Sequence, residues 1–181
     1  MKFLVFDTET TGFVQPSAVE IEKQPKAIEL GLIVVENNKI LEERNWLINP
    51  GESITDEITK ITGIKNEDLV GKPNFGQLLG EIEDIFAIAD ATIAHNAPFD
   101  TSIINFELQR IGRTGFPWPK KNICTVQEYT HVFGRRPKLT ELYEEYIGLK
   151  LEQTHRALDD VLALHEILVK DDFYSVIEMV G

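Results

Sequence analysis

The alternation of apolar and polar positions along the chain predicts several strands in succession, followed by strands and helices in turn. Short apolar runs bounded by polar or turn residues are typical of buried strands, and apolar positions three and four residues apart are typical of helices packed on a core. Strands are predicted at residues 2–6, 27–35, 39–48, 91–95 and 122–125. Helices are predicted at about residues 55–62, 74–89, 99–111, 125–133, 138–147 and 157–170. This order favours an α/β fold with a mixed sheet.

Turn residues separate these elements. Asn37-Asn38 lies between the second and third strands, which predicts an antiparallel hairpin. Residues 13–26 are polar, contain two prolines and show no clear period, so they predict a loop, as does the Gly- and Pro-rich segment 112–119. No internal repeat or linker interrupts the pattern, and residues 1–181 are therefore expected to form a single domain.

Composition narrows the class of protein. With 43% hydrophobic and 27% charged residues among 181, the chain has the profile of a globular protein. The apolar run at its start is broken by Asp7, too early for a signal peptide, and no stretch reaches membrane-spanning length. The single cysteine, Cys124, excludes an intrachain disulfide and a cysteine-based zinc site. We expect a cytoplasmic protein with no membrane partner.

The net charge of −12 argues against a protein that grips long nucleic acid. Proteins that bind duplex DNA through many phosphates carry a basic face, because the release of counterions drives that binding. Composition alone therefore favours a small-molecule enzyme or a metal-binding protein.

The first candidate site is the sequence DTETTG at residues 7–12, at the end of the first strand. Residues two apart on an extended chain point to the same face, so Asp7 and Glu9 project together. Two acids so close repel each other unless a cation lies between them, and hard oxygen ligands suit Mg²⁺ or Mn²⁺. Solvated acids at a polar strand end are the alternative for this motif by itself.

The second candidate site is Asp100, which ends the sequence HNAPFD and lies in the first turn of a predicted helix. An aspartate there complements the helix dipole, which is an ordinary structural role. Helical periodicity nevertheless places Asp100 on the core-facing stripe with Ile103 and Ile104. Glu107 shares that stripe, and the pattern gives it no role beyond a buried hydrogen bond.

The third candidate site is HRALDD at residues 155–160. Helical periodicity puts Asp160 on the buried face and Asp159 on the opposite, exposed face. His155 precedes the helix and has a ring of the kind that accepts a proton near neutral pH. A lone histidine is more often structural, and the other three histidines are assigned to that class by default.

Taken together, FDTETTG from residue 6, HNAPFD from residue 95 and HRALDD from residue 155 resemble the three exonuclease motifs of the DEDD superfamily, histidine subtype. This is the family of the proofreading subunit of bacterial replicative DNA polymerase, ribonuclease T and oligoribonuclease. The sequences ELG at residues 29–31 and INP at residues 48–50 are also similar to the proofreading group, so the resemblance covers nearly the whole chain. It implies a ribonuclease H-like fold, with a five-stranded mixed sheet whose first three strands are antiparallel and with helices on both faces.

The resemblance also implies roles for individual residues. Asp7, Glu9, Asp100 and Asp160 would hold two divalent cations, Mg²⁺ or Mn²⁺. His155 would deprotonate the attacking water, and histidine suits this role because the imidazole pKa is about 6.5 in model peptides. The residues expected to bind the terminal nucleotide are Thr10, Thr11, Gly12, Phe13, His95 and Asn96.

The implied substrate makes the acidic composition less of an obstacle. Two cations would offset part of the negative charge, and an enzyme that grips only the last few nucleotides needs few phosphate contacts. The candidate contacts are the basic segment 135–138 and, with a solvated surface as an equal alternative, Lys120-Lys121. The charge therefore disfavours binding of long duplexes and is compatible with the trimming of an end.

Three functions follow in order of preference. The first is a 3′→5′ exonuclease that acts on single-stranded DNA and releases nucleoside 5′-monophosphates; the second is an RNA-trimming enzyme similar to oligoribonuclease or ribonuclease T. The third is a non-catalytic subunit that binds a polymerase, against which the inward acids and His155 argue. The chain ends soon after the last motif, without a docking tail, so a free-standing enzyme is expected rather than a polymerase partner. An acidic calcium-binding protein is disfavoured because no D-x-D-x-D-G loop occurs.

Overall fold

One mixed sheet contains the five strands of the residues that the computed structural model describes, 1–180. The strands are β1 (Phe3–Thr10), β2 (Ala27–Glu36), β3 (Lys39–Leu47), β4 (Ala91–Ala94) and β5 (Lys121–Cys124). Their order across the sheet is β3-β2-β1-β4-β5. β2 is antiparallel to both β1 and β3, whereas β4 and β5 run parallel to β1. The predicted mixed sheet, with its first three strands antiparallel, is confirmed.

The same residues form nine α-helices. They are α1 (Asp56–Thr62), α2 (Asn66–Leu69), α3 (Phe75–Ala87), α4 (Ala97–Arg110), α5 (Thr125–Glu128), α6 (Thr130–Phe133), α7 (Leu139–Ile147), α8 (Ala157–Lys170) and α9 (Phe173–Val180). The helix predicted at 125–133 is two short helices, because Tyr129 between them leaves the helical conformation, with φ −90° and ψ 0°. The sequence pattern does not anticipate α2, α9 or the 3₁₀ turn at Ile21–Lys23. None of the described helices is long and apolar enough to cross a membrane.

The two faces of β1 are covered by different helices. Phe3 and Val5 point to one side, where they share a core with residues of α7, α8 and α9. Leu4 and Phe6 point to the other side and pack with residues of α3 and α4. Helices therefore cover both faces of the sheet, as predicted, and side chains of α8 and α4 approach β1 from opposite sides.

β1 extends beyond its parallel neighbour. The pairing of β1 with β4 includes only Phe3 to Val5 of β1, whereas its pairing with β2 continues to Thr10. In the described sheet, the later half of β1 therefore has no strand beside it on the β4 side. This gap is the place where side chains from both faces of the sheet can meet.

The turn between β2 and β3 has the geometry predicted from Asn37-Asn38. Both residues adopt positive φ angles, 52° and 60°. Left-handed residues at both central positions are typical of the type I′ turn, whose twist matches that of the paired strands, and asparagine tolerates this conformation better than most side chains. The turn therefore sets β3 in register on β2 as the outer strand of the sheet.

Gly31 allows helix α8 to lie directly on β2. A Cβ atom at this position would be 2.4 Å from the backbone N of Leu158 and 2.6 Å from the backbone C of Ala157, closer than real Cβ atoms come. The first turn of α8 can therefore pack here only against glycine. Because Gly31 is paired with Asp7 of β1, this contact places α8 beside the acidic end of that strand.

Replacing Gly31 with alanine is expected to push the first turn of α8 away from the sheet and to lower the free energy of unfolding by about 3 kcal/mol, the upper end for an overpacked core. Urea denaturation followed by circular dichroism measures this change. Gly80→Ala is the matched control: a Cβ there has no atom within 4 Å, and alanine is preferred over glycine inside a helix by roughly 1 kcal/mol. Equal stability of Gly31→Ala and the wild type would contradict the close approach.

Candidate active site

The end of β1 presents two acids on the side covered by α8. Asp7 and Glu9 continue the odd-numbered side of the strand, which faces α8, and both are half-buried. The register places Asp7 opposite Gly31, beneath the first turn of α8, and Glu9 opposite Glu29. The two carboxylates therefore project together, as the alternation of strand residues predicts.

Asp100 reaches the same place from the other face of the sheet. It lies in the first turn of α4 and is 2% exposed, so its predicted inward orientation is confirmed. Thr8, the residue between the two acids of β1, donates from its backbone N–H and its hydroxyl to Asp100 Oδ1, at 2.9 and 2.7 Å. Thr8 thus connects this carboxylate to the strand that carries Asp7 and Glu9.

Asp160 and His155 approach the acids of β1 from α8 and the residues before it. Asp160 is buried in the first turn of α8, whereas Asp159 is exposed, as predicted. Gln153 donates from Nε2 to one oxygen of Asp160, Oδ2, at 2.6 Å. His155 has a left-handed backbone, with φ 50°. The candidate ligand atoms of Glu9, His155 and Asp160 all lie within 4.8 Å of one another.

Burial raises the pKa values of the four acids, and the charges of other acids in the group add to the shift for Asp7 and Glu9. Burial is the largest cause of the raised pKa of Asp7, and the charges of Asp100 and Glu9 add to it. Burial and the charge of Asp160 raise the pKa of Glu9 to about 8. Burial raises the pKa of Asp100 to about 7, against the hydrogen bonds from Thr8, and burial also raises the pKa of Asp160. Without a counter-charge, the ionised form of every acid in the group is disfavoured.

The donor atoms of this group suit hard divalent cations. All four acids offer carboxylate oxygens, the ligands that Mg²⁺ and Mn²⁺ prefer, and a positive charge among them would relieve their repulsion. The strongest charge effect on the pKa of Asp7 comes from Asp100, and the strongest on the pKa of Glu9 comes from Asp160. The acids of the two helices therefore act electrostatically on the acids of β1, so the four carboxylates form one group in which a divalent cation would be stabilised.

Thr10, the last residue of β1, and Thr11 after it have their polar groups hydrogen-bonded within the protein. The hydroxyl of Thr10 donates to the Gly12 carbonyl at 2.6 Å. Thr11 donates from its N–H to the Lys26 carbonyl at 2.9 Å, and its hydroxyl accepts from the Lys26 N–H at 3.0 Å. Phe13 is 73% exposed. The predicted nucleotide-binding segment thus follows the acids directly, and Phe13 offers an exposed aromatic ring there.

His95 and Asn96, at the start of α4, are joined to the loop before α7. The His95 ring bonds through Nδ1 to the Thr125 hydroxyl at 3.0 Å and has a backbone hydrogen bond with Pro137. Burial lowers the pKa of His95 to about 4, so its ring is neutral at neutral pH. Asn96 has a left-handed backbone, with φ 76°, and its Oδ1 accepts from Arg136 Nη2 at 2.7 Å. These two predicted substrate residues therefore connect a basic loop to the start of α4, the helix that carries Asp100.

Comparison with known protein families agrees with this geometry. A family model described as Exonuclease matches residues 4–168, which include all three acidic motifs. The chain belongs to the exonuclease family. Its three motifs lie in the order expected for the histidine subtype.

Relatives and solved structures match this exonuclease domain over most of its length. DNA polymerase III subunit epsilon of Aquifex aeolicus is 32% identical over 170 residues, 93% of this chain and 79% of its own length. The 3'-5' exonuclease DinG of Bacillus subtilis is 33% identical over 178 residues, 93% of this chain and 18% of its own length. The chain spans less than a fifth of the length of the first curated relatives that it matches.

The fold of the exonuclease domain agrees with the same family. The nuclease domain of 3'hExo, a DEDDh family member, bound to rAMP, has a TM-score of 0.75 and 18% sequence identity, over 94% of this chain and 92% of that chain. This likeness confirms the predicted ribonuclease H-like fold, and the family model confirms the predicted membership of the exonuclease family.

One residue that contacts the exonuclease site is not identified by the sequence analysis as a site residue. Glu29 of β2 is fully buried and accepts hydrogen bonds from Arg156 and from the N–H of Ala157, which follow His155 in the chain. The signal in the sequence is that Glu29 is the one charged residue in the apolar run 27–35. A buried charge in such a strand requires a partner, and the sequence pattern does not say which.

Glu107 has the buried hydrogen bond that its position predicts. Its Oε1 accepts from the Ala27 N–H at 2.9 Å and lies 3.0 Å from Arg110 Nη1. Arg110 in turn donates to three backbone carbonyls between residues 21 and 25. Glu107 and Arg110 therefore hold the loop that enters β2.

Removing divalent cations is expected to make the stability of the domain fall as the pH rises. The folded-state pKa values of Glu9 and Asp100, about 8 and about 7, lie above their ordinary values of 4.5 and 3.8. Between these limits the folded protein binds more protons than the unfolded chain, so the free energy of unfolding decreases with increasing pH. Melting temperatures measured in EDTA across this window test the expectation, and Mg²⁺ added at the upper end should restore stability.

Glu9→Gln serves as the control for this pH dependence. The variant removes the group whose pKa is raised to about 8, so its melting temperature in EDTA should vary less with pH than that of the wild type. A wild-type melting temperature that rises through the same window would show that the acids are not destabilised in the folded state.

Proposed function

We propose that this exonuclease domain removes nucleotides one at a time from the 3′ end of single-stranded DNA. In this proposal Asp7, Glu9, Asp100 and Asp160 hold two divalent cations, and His155 is the general base. The observation that carries the proposal is the meeting of four carboxylates and a histidine where β1 extends beyond β4. Gathering like charges in a partly buried place lowers stability, and such places are typical of functional sites.

The proposed reaction is hydrolysis of the last phosphodiester bond. When bound, two divalent cations supply charge stabilisation for the attacking and the leaving oxygen. An imidazole nitrogen of His155 takes a proton from the attacking water, whose oxygen bonds to phosphorus while the bond to the 3′ oxygen of the preceding nucleotide breaks. The leaving 3′ oxygen takes a proton from solvent water, so the products are a nucleoside 5′-monophosphate and a strand that is one nucleotide shorter and ends in a 3′ hydroxyl.

The surroundings of His155 support its role as the base. Its side chain is half-exposed, so the proton that it takes can pass to solvent. On one side of it the Thr154 hydroxyl donates to Asp159 at 2.7 Å, and Gln153 donates to Asp160. The connection that carries His155 is therefore tied to the first turn of α8, which keeps the imidazole close to the acids.

Two observations favour DNA over RNA. Subunit epsilon of Aquifex aeolicus, of which the chain covers 79%, is named as part of DNA polymerase III. Thr10 ends β1 and Thr11 follows it, and the hydroxyls of both are bonded to the backbone of the protein. These bonds compete with contacts to a ribose 2′-hydroxyl, the group by which proteins distinguish RNA from DNA.

We assign the path of the incoming strand to the side of the loop before α7. This loop supplies Arg136, which is exposed and bonded to Asn96. The alternative contact, Lys120-Lys121, lies where β5 begins, at the level of Phe3 in the sheet. That level is about 13 Å from Asp7, four residues along the strand. The basic loop is therefore the contact that a strand ending at the acids would meet.

We further propose that residues 1–181 form a single exonuclease domain of a cytoplasmic protein. One sheet and the helices packed on it carry the four proposed metal ligands Asp7, Glu9, Asp100 and Asp160. Because one relative is a polymerase subunit, a polymerase is the alternative to independent action. Co-purification with a polymerase would favour that alternative.

Incubation of the purified protein with single-stranded DNA labelled at its 5′ end is expected to give a ladder that shortens from the 3′ end. Mg²⁺ or Mn²⁺ should support the reaction and EDTA should abolish it. His155→Ala is expected to lower kcat by about 100-fold or more, the contribution of a general base. His131→Ala is the matched control, since His131 is exposed and its ring bonds only to the nearby Glu128 carbonyl.

RNA of the same sequence, treated in parallel, tests the choice of sugar. Faster shortening of RNA would replace DNA by RNA in the proposal. Release of the 5′ label in a single step would reverse the polarity, and equal activity of the His155→Ala and His131→Ala variants would remove the general base.

Arg136→Gln is expected to raise KM for single-stranded DNA about fivefold and to leave kcat within about twofold, because it removes one phosphate contact and leaves the acids in place. The slope of log(kcat/KM) against log[salt] should also become smaller by about 0.7, the value for one contact to a single strand. Lys120→Gln makes the same change of charge at the other end of the sheet and should leave KM unchanged. A larger KM effect for Lys120→Gln would reverse the assigned path.

A further inference from the structure

An ion pair joins β2 to the residue that precedes α8. Arg156 donates to both carboxylate oxygens of Glu29, from Nε at 3.1 and 3.0 Å and from Nη2 at 2.6 Å. The same carboxylate accepts from the N–H of Ala157 at 3.0 Å and from Asn45 Nδ2 of β3 at 2.9 Å. Glu29 and Arg156 are 127 residues apart in the sequence. The pair therefore ties the third motif to the middle of the antiparallel part of the sheet.

This carboxylate takes the place of an N-cap for α8. Arg156 is the N-cap residue, and its own side chain makes no capping hydrogen bond. Glu29 accepts from the N–H of Ala157, the first residue of the helix, and places negative charge where the helix dipole favours it. Gly31, two residues further along β2, allows the helix backbone to touch the sheet. Together, Glu29 and Gly31 set the height of α8 above the sheet and its position along the strand.

The positions of His155 and Asp160 depend on where α8 lies on the sheet. His155 immediately precedes Arg156 and has a left-handed backbone, φ 50°, which is unfavourable for a residue with a side chain. The N–H of Asp160 donates to the Arg156 carbonyl at 3.0 Å. His155 and Asp160 both lie within 4.8 Å of Glu9, the strand partner of Glu29.

We propose that the Glu29–Arg156 ion pair positions His155 and Asp160 against Glu9, with Arg156 acting through these residues rather than on the substrate. The inference rests on the proposed metal-dependent function of the acidic site. Positioning and charge have opposite effects on cation binding. Loss of a positioning contact weakens it, because Asp160 moves away from Glu9. Loss of the Arg156 charge alone strengthens cation binding, because less positive charge then remains near the acids to offset their negative charge.

Arg156→Gln is the variant that separates these effects, and Arg113→Gln is its matched control. Arg113 donates to Glu83 from the same two nitrogens, Nε and Nη2, at 3.0 to 3.3 Å. That pair is more exposed and joins α3 to the loop after α4, so its loss removes the same kind of contact away from the acids.

Two properties of the full chain are measured: the Mn²⁺ concentration that gives half of the maximal rise in melting temperature, and kcat and KM for 3′ trimming. For Arg156→Gln we expect the Mn²⁺ midpoint to rise about tenfold and kcat to fall about 10- to 100-fold, with KM within about threefold of the wild type. Arg156→Lys should recover only part of both, because an ammonium group does not reproduce the planar, bidentate contact. Arg113→Gln should match the wild type.

A Mn²⁺ midpoint for Arg156→Gln that equals or lies below the wild-type value would overturn the proposal; a lower midpoint would show that Arg156 acts through its charge. The proposal would also be overturned if Arg156→Gln lowered the melting temperature but left the Mn²⁺ midpoint and kcat unchanged. The ion pair would then contribute to stability and not to the positioning of His155 and Asp160. Should Arg156→Gln not fold, Arg156→Lys decides by the same criteria. A wild type that binds Mn²⁺ but trims no nucleic acid would end the proposed function, while the midpoints would still decide the positioning role.

Discussion

The repulsion among four carboxylates at the end of β1 is the constraint on which the arrangement of the other elements depends. Two unit charges about 4 Å apart repel by about 4 kcal/mol at the effective dielectric of a protein surface. Burial raises the pKa values of all four acids, and the charges of neighbouring acids in the group add to the shift for Asp7 and Glu9. The acids come from three elements: one strand and one helix on each face of the sheet. Each element is held by its own apolar core, so the burial of those cores offsets the repulsion at the point where they meet.

The cores bring the helices to the sheet, and short polar and steric contacts then set where the acids lie. On the α4 side, both hydrogen-bonding groups of Thr8 reach Asp100. On the α8 side, Gly31 admits the helix backbone, and Glu29 accepts the first N–H of the helix. Apolar packing alone tolerates small sliding of a helix, whereas a hydrogen bond fails when its atoms move by about 1 Å. The residues between and opposite the four acids therefore matter as much to the geometry as the acids themselves.

The elements that could be predicted from the sequence are those that a local period describes. The period of two placed Asp7 and Glu9 on one side of a strand, and the period of 3.6 distinguished buried Asp160 from exposed Asp159. A period reports which side of an element is buried and not which element covers it. Glu29 and Arg156 are 127 residues apart, so no pattern of neighbouring residues in the sequence indicates their contact. The division of residues 125–133 at Tyr129 and the presence of helix α9 were not predicted from the sequence. The helices concerned have four to eight residues, which is too few to show a helical period clearly.

The acidic composition and the proposed nucleic-acid substrate are compatible because recognition is local. Charges separated by more than the Debye length, about 8 Å at physiological ionic strength, are largely screened, so a net charge of −12 describes no particular part of the surface. At the proposed site the negative charge of the acids would be offset by the cations that they hold, and Arg136 is bonded to Asn96, four residues before Asp100 in the chain. Elsewhere the surplus of negative charge repels a polyanion at short range. A strand is therefore favoured only where its end meets the acids and the first few phosphates meet the basic loop, which is the distribution of charge that an enzyme acting on ends requires.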